Sequence, residues 1–279
     1  MSRALAAAFI IFVDLKKTPQ RYKHFTTLCN NMTIGKVVQF FEELSSTNDV
    51  AIQWLAKSPP IDGTVIMAAS QTAGRGQANS VWESAPHQNL TLSVILYPYF
   101  LAVAEQFLLS QAMAIAVRDF VQLFLPDKKV TVKWANDVWV GDKKIAGILI
   151  QNQLLGSRWQ SAVVGIGINI NQKKFAQLGL NATSLSVEEE DVFDLSEIQS
   201  YLFQQLDLRY AQLQAGKTNQ IRADYAKNLY KKDVLSSFFH QKKQAVFQGT
   251  IVGTTDAGYL EMKIDDTIQF FETKEIIFL

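Results

Sequence analysis

The spacing of apolar residues predicts a succession of strands and helices from Lys36 onward. Short apolar or strictly alternating runs indicate strands, and longer runs with apolar residues three or four positions apart indicate helices. The predicted strands of this region are residues 37–41, 64–70, 90–96, 130–133, 138–140, 145–153 and 159–170. The predicted helices are residues 102–124, 195–214 and 218–230, with a further helix that begins near Ala51.

Local signals refine three of these elements. Ser46 and Thr47 precede the helix near Ala51, and their hydroxyl groups are N-cap candidates because they can accept from unpaired helix N–H groups. In strand 90–96, leucine and valine alternate with Thr91 and Ser93, which predicts two faces of different polarity. Pro126 ends the helix 102–124.

Beyond Lys232 the pattern changes to short strands separated by turn residues. A tail of about 45 residues is below the size at which isolated cores are robust, so we expect it to pack on the main domain. The strands predicted there are residues 245–252, 259–264, 267–271 and 275–279. The sequence therefore predicts an α+β fold, with a mixed central β-sheet flanked by helices. Its parts are an N-terminal extension (1–34), a main domain (35–232) and a small β-barrel-like domain (233–279).

The first residues of the chain allow two interpretations. The apolar run Ala4–Val13 follows Arg3 and resembles a short signal peptide. It is too short to span a membrane, and no small-residue cleavage site follows it. We favour the alternative that residues 1–31 are a nonessential extension, with translation starting either at Met1 or at Met32.

Composition excludes several classes of site. The chain of 279 residues is 48% hydrophobic and 19% charged, with a formal net charge of +1, which is typical of a globular protein and gives no reason to expect nucleic-acid binding. Cys29 is the one cysteine, which rules out a disulfide framework and a multi-cysteine zinc site. With three histidines in the chain, we expect no histidine-based metal centre. A reducing, cytoplasmic location fits this cysteine usage.

The first candidate ligand-binding motif is 71–77 (Gln-Thr-Ala-Gly-Arg-Gly-Gln), followed by Trp82. Glycines on both sides of Arg75 let the backbone approach a ligand closely while the guanidinium reaches a phosphate or carboxylate. Residues 72–80 lack large apolar anchors, so we expect an exposed loop that can close over a ligand. The alternative is an exposed glycine turn with an incidental arginine, because short glycine motifs often match by chance.

The second motif is 133–137 (Lys-Trp-Ala-Asn-Asp), followed by 144–147 (Lys-Ile-Ala-Gly). A lysine ammonium suits a carboxylate or an α-phosphate, and Asp137 suits Mg²⁺ beside a nucleotide or a neighbouring cation. Asn136 can both donate and accept hydrogen bonds, and Gly147 leaves room for a ligand. A surface hairpin with solvated charges is the alternative.

The third motif is 165–171 (Gly-Ile-Gly-Ile-Asn-Ile-Asn). Glycines weaken a strand, so their presence inside one marks the close approach of backbone or ligand. Asn169 would then present its amide to the same cavity. A structural β-bulge explains the local pattern equally well.

Each motif is weak alone, but their order and spacing are specific, and together they resemble the biotin protein ligase family. The similarity covers roughly residues 38–279, because the tail also resembles the family's small C-terminal domain. It implies a class II synthetase-like catalytic domain, an SH3-like barrel, and a monofunctional enzyme without an N-terminal DNA-binding domain. The resemblance rests on Ser46-Thr47-Asn48, Gly74-Arg75-Gly76, Trp82, Asn89-Leu90, residues 133–137, residues 144–147 and residues 165–169.

The resemblance implies an ATP-dependent ligase that forms biotinyl-5′-AMP from biotin and ATP, with Mg²⁺, and transfers biotin to a lysine. The acceptor would be the biotin carboxyl carrier domain of a biotin-dependent carboxylase. No nucleic-acid or membrane partner is implied, and the enzyme would be a cytoplasmic monomer or homodimer.

The family's functional residues carry over to matching positions of this chain. The resemblance implies that Lys144 contacts the biotin carboxylate and the phosphate, that Trp82 lies near the adenine, and that Asp137 is a possible Mg²⁺ ligand. The implied catalytic residues are Lys144, Arg75 and Asp137. The implied biotin-binding residues are Ser46, Thr47, Asn48, Gln71, Arg75, Gly76, Gln77, Lys144 and Gly147. The implied ATP- and adenylate-binding residues are Arg75, Gly76, Gln77, Trp82, Lys133, Asn136 and Asn169.

The chain departs from the family at two places. Gln77 stands where many members have an arginine, and Asn79-Ser80 where many have a glycine–arginine pair. Losing positive charge there predicts a weaker hold on the adenylate.

Three other functions remain to be separated from this one. A lipoate or octanoate ligase or transferase shares the superfamily, but its characteristic arginine and multi-glycine stretch is absent from this sequence. A DNA-binding repressor is disfavoured because the residues before the main domain lack two amphipathic helices around a turn. A protein that only sequesters biotin would release no pyrophosphate.

Overall fold

The computed structural model describes residues 32–77, 80–156, 158–175 and 181–279, so almost all of the predicted extension 1–34, and Asn79, lie outside the described residues. The strands are β1 (Val38–Leu44), β2 (Thr64–Gln71), β3 (Asn89–Leu96), β4 (Val130–Lys133), β5 (Asp137–Val140), β6 (Lys143–Leu155), β7 (Arg158–Asn169), β8 (Leu235–His240), β9 (Ala245–Thr254), β10 (Leu260–Ile264), β11 (Thr267–Phe271) and β12 (Ile276–Phe278). The helices are α1 (Thr47–Lys57), α2 (Gln106–Phe124), α3 (Leu185–Glu189), α4 (Leu195–Gln214) and α5 (Thr218–Lys227), and a 3₁₀ turn (Val103–Glu105) leads into α2.

Seven strands form the central sheet in the order β1-β2-β3-β7-β6-β5-β4. Strand β1 pairs with β2 in parallel and the other neighbours are antiparallel, which confirms the predicted mixed sheet. All eight residues of β3 are buried, so both of its faces lie inside the protein. On the polar face of β3, the buried Thr91 hydroxyl has a hydrogen-bond partner within the protein, because it donates to the Ala68 carbonyl at 2.6 Å.

Helices α2, α4 and α5 pack on one another beside this sheet. Arg209 of α4 joins them, because its guanidinium lies 2.6 Å from Asp119 of α2 and 2.6 Å from Asp224 of α5. By length and composition the segment Val103–Phe124 could cross a membrane, since an 18-residue stretch of it has a mean hydropathy of 1.3, but 72% of that stretch is buried within the fold. It is therefore the core helix around which the others pack.

The tail forms a second, antiparallel sheet in the order β11-β10-β9-β8-β12. Strand β8 was not predicted from the sequence. The expectation that this tail packs on the main domain is confirmed: the Trp134 indole donates to the Gly258 carbonyl at 3.0 Å, and the rings of Tyr230 and Phe278 lie 6.1 Å apart.

Candidate active site

A cavity of about 280 Å³ lies where the start of α1, the loop 74–82 and strands β5, β6 and β7 meet. Its volume is close to the lower end of the range for small-molecule sites, roughly 300–1,000 Å³. Most of the predicted site residues line it: Ser46, Thr47, Asn48, Gln71, Arg75, Gly76, Gln77, Trp82, Asp137, Lys144 and Gly147. Residues far apart in the chain are thus gathered at one place.

The start of α1 forms one wall of the cavity. Ser46 is the N-cap of this helix, as predicted, but its side chain makes no capping hydrogen bond. Gln71 at the end of β2 takes that role: its Oε1 accepts from the Thr47 backbone N–H at 2.8 Å and from the Thr47 hydroxyl at 3.2 Å. The helix therefore begins where a side chain from the neighbouring strand satisfies its first N–H.

Asn48 is the centre of a buried polar network behind this wall. Its Oδ1 accepts from Ser93 at 2.6 Å, and its Nδ2 donates to Gln151 at 2.8 Å. Ser93 also lies 2.7 Å from the Thr47 hydroxyl. Ser93 and Gln151 were not predicted as site residues, although Ser93 is a polar residue in an otherwise apolar strand. These bonds hold the amide of Asn48 in one orientation at the cavity.

Glycines on β6 and β7 make room for side chains at the floor of the cavity. A Cβ at Gly165 would lie 2.2 Å from Asn48 Oδ1, and one at Gly167 would lie 2.2 Å from Trp82 Cε2. Gly147 pairs with Gly167 across the two strands, and a Cβ there would lie 3.1 Å from Trp82. The register is regular through residues 162–169, so close approach explains these glycines and the bulge alternative is wrong.

Two of the cations that line the cavity form ion pairs with carboxylates. Lys144 Nζ lies 2.8 Å from Asp137 Oδ2, and Arg75 lies 3.2 Å from Asp49. The Lys144 ammonium also lies 5.6 Å from the centre of the Trp82 ring. Both cations are partly exposed, at 27% and 55%, so an anionic ligand can reach them.

Residues 74–77 of the loop lie beside residues 80–82, and Gln77 is bonded to Asn136. Gly76 N–H donates to the Ser80 carbonyl at 2.7 Å, and Trp82 N–H donates to the Gly74 carbonyl at 3.0 Å. The Gln77 amide donates to Asn136 Oδ1 at 2.8 Å. Asn136 is buried and does not line the cavity; its Oδ1 accepts from Gln77 of the loop, and its Nδ2 donates to the Ile148 carbonyl.

The structure separates two further predicted residues, Lys133 and Asn169, from the cavity. The Lys133 ammonium lies 3.9 Å from the centre of the Trp139 ring and 4.7 Å from that of Phe278, and burial lowers its pKa to about 8. Asn169 donates to the Thr183 carbonyl at 3.0 Å, and its Oδ1 is buried without a partner. Direct contacts of these two side chains with a ligand in this cavity are not supported.

Among the charged residues that line the cavity, one was not predicted. Lys274, on the turn between β11 and β12, lines the cavity, and its ammonium donates to the Gln77 carbonyl at 3.3 Å. No sequence motif marked it, because it lies far along the chain from the other site residues.

The carboxylates in the described part of the chain do not form a dedicated metal site. No group of three His, Cys, Asp or Glu residues there is arranged to hold a metal ion. Asp137 is the carboxylate that lines the cavity, and it pairs with Lys144. One carboxylate fits a Mg²⁺ ion that takes its other ligands from phosphates and water.

Comparisons with known proteins agree with this geometry. Residues 40–169 match the Biotin/lipoate A/B protein ligase family. The bifunctional ligase/repressor BirA of Bacillus subtilis is 27% identical over 249 residues, which cover 87% of this chain and 74% of BirA. The biotin–[acetyl-CoA-carboxylase] ligase of Mycobacterium tuberculosis is 31% identical over 185 residues, which cover 66% of this chain and 67% of that ligase.

Solved structures share the fold. The biotin protein ligase from Aquifex aeolicus in complex with biotin and ATP matches with a TM-score of 0.71 at 20% identity, over 87% of this chain and 98% of that chain. At 20% sequence identity, this structural match supports the fold alone. The family assignment rests on the relatives found by sequence. The chain belongs to the biotin protein ligase family.

Proposed function

We propose that the enzyme forms biotinyl-5′-AMP from biotin and ATP and then transfers biotin to a lysine of a biotin carboxyl carrier domain. The observation that carries this proposal is the gathering of three separate sequence motifs around one cavity, with Lys144 and Arg75 placed to receive anions. The named biotin ligases among its relatives support the same reaction.

In the first step, a carboxylate oxygen of biotin attacks the α-phosphorus of ATP, and the bond to pyrophosphate breaks. Both reactants are anions, so their approach requires positive charge at the reacting atoms. We assign this role to Lys144 and Arg75, whose present partners Asp137 and Asp49 would yield them in part to the substrates. Mg²⁺ bound with the nucleotide, with Asp137 as a protein ligand, would supply further charge neutralisation.

The neutral wall of the cavity suits the rest of biotin. The ureido ring of biotin has two N–H donors and one carbonyl acceptor, and Thr47, Asn48 and Gln71 offer both donors and acceptors. Leu92, Ile148 and Leu149 add apolar surface for the remaining carbon chain.

In the second step, the uncharged amine of an acceptor lysine attacks the acyl carbon of the mixed anhydride. The bond to AMP breaks, AMP leaves with the electron pair, and the amine loses a proton as the amide forms. Water would compete with the amine, so the loop 74–82 has the task of covering the intermediate. Its attachment through Gln77 to Asn136 supports this role.

Several finer features belong to the same proposal. The second sheet would be an SH3-like barrel, and the main domain a class II synthetase-like fold. We place the enzyme in the cytoplasm as a monomer or homodimer that acts without nucleic acid, in keeping with its net charge of +1.

The test is to incubate the protein with Mg-ATP, a carrier domain and either biotin or lipoate, and to measure the carrier's mass and the pyrophosphate released. We expect a mass gain with biotin, and Lys144→Ala should lose most biotin-dependent pyrophosphate release. Lys143→Ala is the matched control, because that neighbouring lysine is exposed and does not line the cavity. Full activity of Lys144→Ala would refute the role of this lysine. Transfer of lipoate instead of biotin would show that biotin is not the substrate.

A further inference from the structure

We propose that a groove between α2, α5 and the edge of β4 binds a phosphate group, at a site separate from the active-site cavity. This α2–α5 groove has a volume of about 580 Å³, within the range of roughly 300–1,000 Å³ for small-molecule sites. None of the described residues that line it also lines the active-site cavity. The inference therefore does not depend on the proposed function.

The groove exists because small residues on α5 face a strand edge that is only partly paired. Ala223 and Ala226 lie three positions apart, on one side of α5, and their short side chains leave space beside β4. The chain that follows α5 pairs with β4 at Val132, whose N–H donates to the Asn228 carbonyl at 2.8 Å. Val130, two residues earlier on β4, lines the groove instead.

Positive charge dominates the groove. Among the described residues that line it, four are cationic and one, Asp233, is acidic. The four cations are Arg118, Lys129, Lys227 and Lys232. Lys232 pairs with Asp233 at 2.6 Å. Lys129 and Lys227 are exposed, and neither ammonium forms an ion pair or a hydrogen bond with the described part of the chain. These two lysines are therefore available to an anion.

Arg118 of α2 is held in one orientation at the wall of the groove. Its Nε donates to the Val130 carbonyl at 3.1 Å, and its two Nη atoms donate to Asp119 at 3.0 Å and to Gln122 at 2.7 Å. These bonds use three of its five N–H groups, so two remain for a ligand. Asp119 also pairs with Arg209, so its charge is shared between two guanidinium groups. A guanidinium fixed in this way is suited to phosphate oxygens.

The Thr131 hydroxyl is the group that points most directly to a ligand. Thr131 lines the groove and is 5% exposed, and its hydroxyl is buried without a hydrogen-bond partner among the described residues. A buried hydroxyl without a partner destabilises a fold, and such groups are rare in native proteins. A phosphate oxygen in the groove would accept a hydrogen bond from this hydroxyl.

A phosphate group matches these residues in charge and in number of oxygens. A phosphate monoester carries about two negative charges at pH 7, which equals the charge of the two lysines without carboxylate partners. Its three terminal oxygens suffice for contacts with a guanidinium, a hydroxyl and an ammonium. A carboxylate has one charge and two oxygens. The volume of the groove leaves room for an organic group beside the phosphate, so a small phosphate monoester is favoured over free phosphate.

The experiment is isothermal titration of the full chain, without biotin or ATP, with glucose 6-phosphate, inorganic phosphate or glucose. We expect saturable binding of the two phosphates and none of glucose. Thr131→Val keeps the shape of the side chain and removes the hydroxyl, so it should weaken binding about tenfold without lowering the unfolding midpoint. The double variant Lys129→Gln, Lys227→Gln should also weaken binding about tenfold.

Two controls locate the site. The double variant Lys143→Gln, Lys243→Gln makes the same change of charge at exposed lysines that line neither cavity, and it should bind as the wild type does. Lys144→Ala alters the active-site cavity and should also bind both phosphates as the wild type does.

Four outcomes would overturn the inference: no saturable binding of either phosphate up to about 10 mM, unchanged affinity in Thr131→Val, equal weakening in the two double variants, or loss of binding in Lys144→Ala. The last of these would place the phosphate in the active-site cavity. Tighter binding of glucose 6-phosphate than of inorganic phosphate would support an organic monoester, and equal binding would support free phosphate. Because no biotin is present, a failure of the proposed ligase reaction would leave these results unchanged.

Discussion

The glycine at 165 allows a sharp test of how the cavity is built. In Gly165→Ala, the new methyl carbon would lie 2.2 Å from Asn48 Oδ1, 2.9 Å from its Cγ and 3.0 Å from its Nδ2. All three nearest atoms belong to the side chain of Asn48, which is 3% exposed and is held in place by its hydrogen bonds with Ser93 and Gln151. The substitution should therefore act chiefly through Asn48.

The magnitude follows from the bonds that Asn48 would lose. Moving its amide breaks the hydrogen bonds with Ser93 and Gln151, each worth about 1 kcal/mol between neutral groups. Overpacking the site adds about 1–2 kcal/mol. Gly165→Ala should thus lower the free energy of unfolding by about 3–4 kcal/mol in total. In an Asn48→Ala background the obstructing atoms are gone, and the same substitution should cost less than about 1 kcal/mol.

The assay is a double-mutant cycle in urea, with the wild type, Gly165→Ala, Asn48→Ala and the double variant. Adding the methyl group should lower the free energy of unfolding by about 2–3 kcal/mol more in the wild-type background than in the Asn48→Ala background. Equal costs in both backgrounds would refute the steric reasoning, because the methyl group would then be meeting something other than Asn48. The KM for biotin should rise in each single variant, since both disturb the same wall.

Two further predictions concern stability away from the reacting atoms. Burial lowers the pKa of Lys133 from its ordinary 10.5 to about 8 in the folded state. Below pH 8 the buried charge therefore destabilises the folded state to its full extent, and this destabilisation decreases between pH 8 and pH 10.5. The stability of Lys133→Met relative to the wild type should therefore fall between pH 8 and 10.5, and a difference that stayed constant in urea unfolding would contradict this. Arg209→Met leaves Asp119 and Asp224 without this partner and should lower the free energy of unfolding by about 2–4 kcal/mol with an unchanged KM for biotin. A loss below about 0.5 kcal/mol would argue that the pairs are no better than ordinary surface ion pairs.

Most elements with a clear periodicity were predictable, and the exceptions have identifiable causes. The predicted helix 218–230 ends at Lys227, because the following residues pair with the edge of β4: Val132 N–H donates to the Asn228 carbonyl, and Tyr230 N–H donates to the Val132 carbonyl. Strand β8 was missed because its sequence, Leu-Ser-Ser-Phe-Phe-His, does not alternate apolar with polar residues. It is defined by its two neighbours in the sheet, which no local pattern reports.

The candidate site was predictable where its residues are consecutive in the chain. Gln71, Arg75, Gly76 and Gln77 of the motif 71–77 line the cavity together, as do Lys144 and Gly147 of the motif 144–147. In the motif 133–137, Lys133, Asn136 and Asp137 were all predicted to be site residues, but of these three Asp137 alone lines the cavity. Lys133, which pairs with Asp137 across β4 and β5, contacts Trp139 and Phe278 instead. Lys274 could not be found from sequence, since its place at the cavity depends on how the second sheet packs on the first.

The pairing of β3 with β7 has a consequence for how the protein is made. These neighbours in the sheet are separated in the chain by α2, β4, β5 and β6, so their contact closes a long loop, which is slow compared with local pairing. During synthesis on the ribosome, β1, β2 and β3 can associate early. Gly165 and Gly167 belong to β7 and are therefore synthesised later. Until β7 has been synthesised, the wall that contains Asn48 and Ser93 is exposed to water. The floor of the cavity, which includes the glycines of β7, is not yet formed. The ability to hold biotin should therefore emerge abruptly, when the seventh strand leaves the exit tunnel.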